Sequence, residues 1–321
     1  MPRIALTWLV ALIVVIGLAD AAFGLDAIAT TTIVADVVRA VAGEDIDLVT
    51  LLPANTDPHA FQATPNDLVA ISNADVIFLS GADLEADFAD ILATGSGLIV
   101  DLSSRVALRE SESLDHGHEA EAGEDVDGED HRDEYGDGEH SHGTHDPHVW
   151  FDPTNLMVWT SAIEQTLAEM DPGSAAGYAS RAAAYRSALA ALDLWIWEQV
   201  GRIPADRRNL VSDHLVFGYY AARYGLRQVG TILPGFSTLS EPSAREIAEL
   251  IDTIGDLNVP AIFVGANVSA VLAESIATDT GTEIVAVYTG ALSDPTGPAA
   301  TYIEFMRFNT EAIVGALGDA P

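Results

Sequence analysis

Residues 209–232 read NLVSDHLVFGYYAARYGLRQVGTI. Residues 209–212, with the apolar pair Leu210-Val211 at their centre, have the length of a short strand. Residues 214–224 carry apolar side chains at helical spacing up to Gly225, a residue type that commonly ends helices, and 226–232, with Leu226, Val229 and Ile232, read as a second strand. A strand, a helix and a strand in so short a stretch make a crossover unit with parallel strands. The one histidine in the unit, His214, falls where the first strand gives way to the helix.

The same alternation extends in both directions. Downstream the pattern predicts helices over 243–254, 268–278 and 299–317 and strands over 260–265 and 283–288. Upstream it predicts strands over 27–34, 46–52, 75–80 and 97–102, with helices over 35–42 (stopped by Gly43), 66–73 and 83–92. Between the two α/β regions lies a helical stretch. In it Tyr178, Ala182, Tyr185, Leu189, Leu192, Trp195/Ile196 and Val200 form one apolar stripe at intervals of three or four residues, as a single long helix requires. The expected class is α/β, with two lobes of mainly parallel sheet flanked by helices. The expected partition is a signal peptide over 1–24, an N-terminal lobe over 25–152, a helical segment over 153–204 and a C-terminal lobe over 205–321.

Composition narrows the function. A formal net charge of −35 repels nucleic acid and anionic membrane surfaces and favours cations. With no cysteine, thiolate metal sites, disulfides and an N-terminal lipid anchor are all excluded, so any transition-metal site must use His, Asp or Glu. Arg3, the apolar run 4–18 and the small residues Ala19 and Ala21 make a cleavable export signal, and the expected compartment is the periplasm. The segment 115–146 holds 13 acidic residues and one arginine, with six of the nine histidines: His116, His118, His131, His140, His142 and His145. Such a composition cannot bury a core, and it reads as an acidic, His-rich loop, either a weak zinc binder that hands metal to a tighter site or a solvated insertion whose histidines bind metal incidentally.

The three remaining histidines occupy equivalent places. His59, His148 and His214 each follow a strand of the first or second lobe, and open parallel sheets bind ligands beyond the carboxyl ends of their strands. Two sit in the frame Asp57-Pro58-His59 and Asp146-Pro147-His148, and the third in Asp213-His214. Each preceding carboxylate could orient its imidazole or cap a turn. Three neutral imidazoles without a thiolate suit Zn2+ in a tetrahedral shell completed by one oxygen; manganese prefers more carboxylate. Imidazole ligation also implies that affinity falls below about pH 6.5.

These residues carry a family resemblance. Asp57-Pro58-His59-Ala60-Phe61 with Thr64-Pro65-Asn66-Asp67, the run 146–153, the run 212–221 leading to Tyr224-Gly225-Leu226, and Ser237-Thr238 with Glu241-Pro242-Ser243 resemble the ligand motifs and signatures of the zinc/manganese solute-binding proteins of ABC importers. The resemblance implies two α/β lobes joined by a long rigid helix and capture of Zn2+ in the cleft by His59, His148 and His214. It also implies delivery to an inner-membrane permease, in a monomer that a zinc metallochaperone could load. A histidine at the third position and an acidic His-rich loop are features of the zinc members. The family's usual fourth ligand is an Asp, and Gly290 stands at its position; Asp294, Glu241 or water remains to fill it. A manganese or iron importer component or an adhesin is the alternative within this class. A periplasmic zinc hydrolase is the alternative outside it, although no His-Glu-x-x-His or Gly-x-Ser-x-Gly motif is present.

Overall fold

A computed structural model describes residues 24–110, 145–266 and 270–318. Residues 1–23 of the expected signal segment lie outside the described residues, as does the His-rich segment up to position 144.

The first lobe begins with β1 (Leu25–Ala29), α1 (Thr32–Ala42), β2 (Ile46–Thr50) and α2 (Pro65–Asn73). It continues with β3 (Val76–Leu79), the single turn α3 (Ala89–Leu92) and β4 (Leu98–Asp101). Its sheet is wholly parallel, in the order β2-β1-β3-β4. The expected strand 27–34 is cut short at Ala29, because the Thr31 hydroxyl accepts from the Val34 amide and starts α1 three residues further on. Gly43, at φ 62°, ends α1 as expected. The helix expected over 83–92 is reduced to a 3-10 turn and α3, since Gly81, Ala82 and Asp83 all take positive φ.

Two antiparallel helices follow, α4 (Pro153–Met170) and α5 (Ala175–Val200). The second lobe comprises β5 (Asn209–Ser212), α6 (Gly218–Tyr224), β6 (Arg227–Thr231), α7 (Ala244–Asp256), β7 (Ala261–Gly265), α8 (Val271–Thr280), β8 (Glu283–Val287) and α9 (Tyr302–Leu317). Its sheet repeats the topology of the first, parallel in the order β6-β5-β7-β8.

With 26 residues, α5 is about 39 Å long at 1.5 Å per residue, and it touches both lobes. At one end the Arg181 guanidinium donates to the Val41 and Ala42 carbonyls at 2.7 Å, closing the C-terminus of α1. Further along, the Asp193 carboxylate receives a bidentate Arg223 at 2.6 and 2.7 Å and the Tyr224 hydroxyl at 2.9 Å, both from α6. Tyr178, Ala182, Leu189, Leu192, Ile196 and Val200 of the predicted stripe are fully buried. They belong to one hydrophobic core that also takes in Val34, Trp159, Phe263, Tyr302 and Phe305. The principal core is thus shared by the two lobes, and each sheet has a smaller cluster of its own. Among the described residues no helix is long and apolar enough to cross a membrane.

Candidate metal centre

The three isolated histidines converge. His59 Nε2 lies 3.2 Å from His148 Nε2, and His214 Nε2 lies 3.3 Å from the same atom. One ligand atom from each of the three falls within 4.8 Å of the others. A tetrahedral ion with bonds of about 2.0–2.1 Å separates its ligand nitrogens by about 3.3–3.4 Å, so the spacing suits such an ion. With all three Nε2 atoms unprotonated, their lone pairs at this distance would repel one another unless a cation lay among them.

Each histidine is placed by local chemistry. In the first lobe the Asp57 carboxylate accepts from the His59 amide at 3.0 Å, and Pro58 opens the short 3-10 turn that presents the imidazole. At the second position, Asp146 Oδ1 accepts both the His148 amide and its Nδ1–H, each at 2.9 Å. The turn after it is anchored by packing, with the Phe151 ring 5.0 Å from Phe217 and 5.5 Å from Phe305. The Trp150 Nε1–H donates to the Thr289 carbonyl at 2.9 Å. Asp152 then caps α4 through the Thr154 amide, with Pro153 in the first turn.

His214 does not open a helix as expected. It sits in a bend four residues before α6, because its neighbour is held in the crevice between β5 and β7. The Asp213 amide donates to the Phe263 carbonyl at 3.0 Å, and its Oδ2 accepts the Gly265 amide at 2.7 Å. Its Oδ1 is left to receive the His214 amide at 2.7 Å and the His214 Nδ1–H at 2.6 Å.

The two readings left open for the preceding carboxylates therefore separate. Asp146 and Asp213 both cap a turn and orient an imidazole: by taking the Nδ1 proton they fix the tautomer and turn the Nε2 lone pair inward. Asp57 only caps, and its second oxygen receives the Thr238 hydroxyl instead. Residue type at 218 and 290 matters for close approach. A Cβ at Gly218 would come within 2.4 Å of Asp146 Oδ2. A Cβ at Gly290 would come within 2.5 Å of Cδ in the Pro58 ring, which is bonded directly to the backbone.

Burial governs the protonation of the site. His148 and His214 are 1 and 2 % exposed. Desolvation, reinforced by the neighbouring His214, lowers the His59 pKa to about 4 and carries His148 well below the usual imidazole range. Burial pushes the Asp146 carboxyl up to about 7 against its hydrogen bond from the His148 amide.

Among the described residues no carboxylate joins the three imidazoles. Asp294 and Glu241 are both exposed, and the Asp294 carboxylate accepts from the Asn55 side chain at 3.0 Å. Of the His-rich segment, His145 is described; it bridges to Glu110 and stays apart from the cluster. The sequence reading missed Gly218, Trp150 and Thr238 as supports of the site. All three stand inside the motifs that carry the family resemblance, but none was given a role, because each acts through contacts with residues distant in the chain.

A family model described as the periplasmic zinc-uptake complex component A, ZnuA, matches residues 28–316. The chain is similar to the zinc-binding protein TroA of Treponema pallidum, 31% identical over 314 residues, covering 94% of this chain and 92% of that protein. It is also similar to the manganese-binding lipoprotein MntA of Halalkalibacterium halodurans, 28% identical and covering 92% and 89%. A third relative, the iron-binding protein YfeA of Yersinia pestis, is 27% identical and covers 93% and 88%. The solved structure of the Treponema pallidum protein superposes with a TM-score of 0.77 at 28% identity, over 91% of this chain and 99% of that one.

Proposed function

The chain belongs to the family of the periplasmic zinc-uptake complex component A, the metal-binding, substrate-binding part of an ABC transporter, and on that premise we propose that its own cargo is Zn2+. His59, His148 and His214 bind the ion in the cleft, and a membrane permease receives it. The three Nε2 atoms, 3.2 and 3.3 Å apart with no carboxylate of the described residues joining them, carry this reading. A shell of imidazoles favours zinc over manganese, which takes more oxygen ligands. The relatives' names span zinc, manganese and iron, so the choice of metal rests on the ligand chemistry. Water completes the shell, since the position expected for a carboxylate is Gly290 packed on Pro58. Export by cleavage of residues 1–24, the four-part partition of the chain and a monomeric state complete the proposal, with the histidines of 115–146 as a weaker zinc reservoir.

The test is metal content and competition. Native mass spectrometry of the purified chain, offered equimolar zinc, manganese and iron, should show one tightly held zinc. His59→Ala, His148→Ala and His214→Ala should each weaken that site at least tenfold. Preferential retention of manganese, or full affinity in the triple variant, would overturn the reading.

A further inference from the structure

His148 and His214 each have a buried carboxylate of their own behind Nδ1, whereas among the described residues none accepts from the ring of His59. His59 is also the more exposed of the three. Its place is set through its backbone, and the support comes from the other lobe. The Asp57 carboxylate holds the His59 amide with one oxygen and the Thr238 hydroxyl with the other. Thr238 lies 181 residues away, in the loop after β6.

That loop is itself built onto the turn of His214. The Leu233 amide donates to the Asp213 carbonyl at 2.7 Å, and the Leu215 amide to the Gly235 carbonyl at 2.9 Å. Phe236, one step on, lies 6.2 Å from the His148 ring. A continuous path therefore runs from the His214 turn through residues 233–238 to Thr238, then across the cleft to Asp57 and His59. The segment after β8 grips the same stretch, where the Asn55 amide donates to the Leu292 carbonyl at 3.1 Å.

We propose that Thr238 is a positioning residue for the metal site: its hydroxyl, reaching from the second lobe to Asp57, holds His59 in place, so that retention of the ion depends on contact between the lobes at this point. The proposal rests on reading the three histidines as the metal site. His148 and His214 form a pair oriented by their own carboxylates, and His59 closes on the ion only when Asp57 is tethered. Separation of the lobes withdraws His59 first, which gives a permease a direct way to release the cargo.

The experiment measures zinc affinity and dissociation rate by chelator competition on the full chain, for Thr238→Val and Thr238→Ser in the natural and the His59→Ala backgrounds. Valine keeps the shape and removes the donor; serine keeps the donor. A hydrogen bond to a charged group corresponds to about a tenfold effect or more, so Thr238→Val should release zinc about tenfold faster while Thr238→Ser stays within about threefold. In the His59→Ala background the valine should change nothing further, because the ligand it acts through is gone. Wild-type release by Thr238→Val, or an equal loss in both backgrounds, overturns the proposal. If His59→Ala itself leaves zinc binding intact, the metal-site reading fails and the proposal falls with it. Thermal melts of the metal-free variants identify a folding defect, which serine would not share.

Discussion

Replacing Asp213 by Asn tests whether the buried carboxylates orient the imidazoles. Asp213 accepts three N–H groups, from His214 Nδ1, the His214 amide and the Gly265 amide, at 2.6, 2.7 and 2.7 Å, and it is 2 % exposed. An amide offers one acceptor edge and one donor edge. With its oxygen toward His214, its NH2 faces the Gly265 N–H, and a buried donor loses its partner at a cost of about 1–3 kcal/mol in stability. With its NH2 toward His214, the imidazole must move its proton to Nε2, and the lone pair that would bind the metal is lost. Neither orientation preserves both the fold and the ligand. Loss of such a support typically weakens metal binding by about 10- to 100-fold, or roughly 1.4–2.8 kcal/mol. Chelator competition at pH 7.5 gives the affinity, and urea unfolding of the metal-free variant gives the stability. If Asp213→Asn binds zinc within about twofold of the natural chain while His214→Ala loses the site, the orienting role is wrong.

Two further predictions concern pH. Because burial already keeps His59 and His148 neutral far below pH 6.5, zinc does not have to displace protons from them near neutrality, contrary to the expectation from ordinary imidazoles. Between pH 7 and 5 the logarithm of affinity should therefore fall with a slope well below three protons; a slope near three would mean that His59 and His148 titrate after all. Glu85 is wholly buried, accepts from the Thr30 hydroxyl and from the Ser80 and Gly81 amides, and has its pKa raised by burial to about 7. The folded state then holds a proton that the unfolded chain, with its carboxyl near 4.5, has released, so stability present below 4.5 is lost as pH rises through 7. Glu85→Gln has no such loss, and its stability relative to the natural chain should improve by on the order of 2–3 kcal/mol between pH 4.5 and 8. An unchanged gap in urea titrations at the two pH values would count against it.

The legible parts of this chain were those written locally. Strand β5 was read to the residue, around the apolar pair Leu210-Val211, and the long helix α5 was recognised, though not its bounds, from a stripe that persists for about six turns. The three histidines stood out because the rest are crowded into one acidic segment. What failed was decided by single hydrogen bonds or by distant partners. Thr31 caps α1 and so ends β1 early, and the binding of Asp213 to β7 keeps His214 out of the helix. The first is a local cap three residues from its partner, whereas the second reaches 52 residues along the chain and has no local sign. Gly290 was recognised as a missing carboxylate, but the ring that packs there belongs to Pro58, far away in sequence.

The repeated sheet order explains why the site is asymmetric. In each lobe the chain leaves its first strand at a switch point between two central strands, and in each a buried carboxylate accepts amides from the end of the neighbouring strand. In the second lobe that carboxylate is Asp213, with the Gly265 amide at the end of β7. In the first it is Glu85, with the Ser80 and Gly81 amides just after β3. The backbone matches as well, for the Asp213 amide donates to Phe263 and the Thr30 amide to Phe78, both at 3.0 Å. The remaining acceptor capacity differs: Asp213 spends it on an imidazole, Glu85 on the Thr30 hydroxyl. The first lobe thus uses its switch-point carboxylate for the scaffold alone, and His59, supplied by a loop beyond β2, is left without a carboxylate behind its ring. A ligand so placed must take its support from across the cleft. On the proposed reading, Thr238 therefore acts through Asp57 of the first lobe, with the segment after β8 gripping the same stretch, to hold the third imidazole toward the ion.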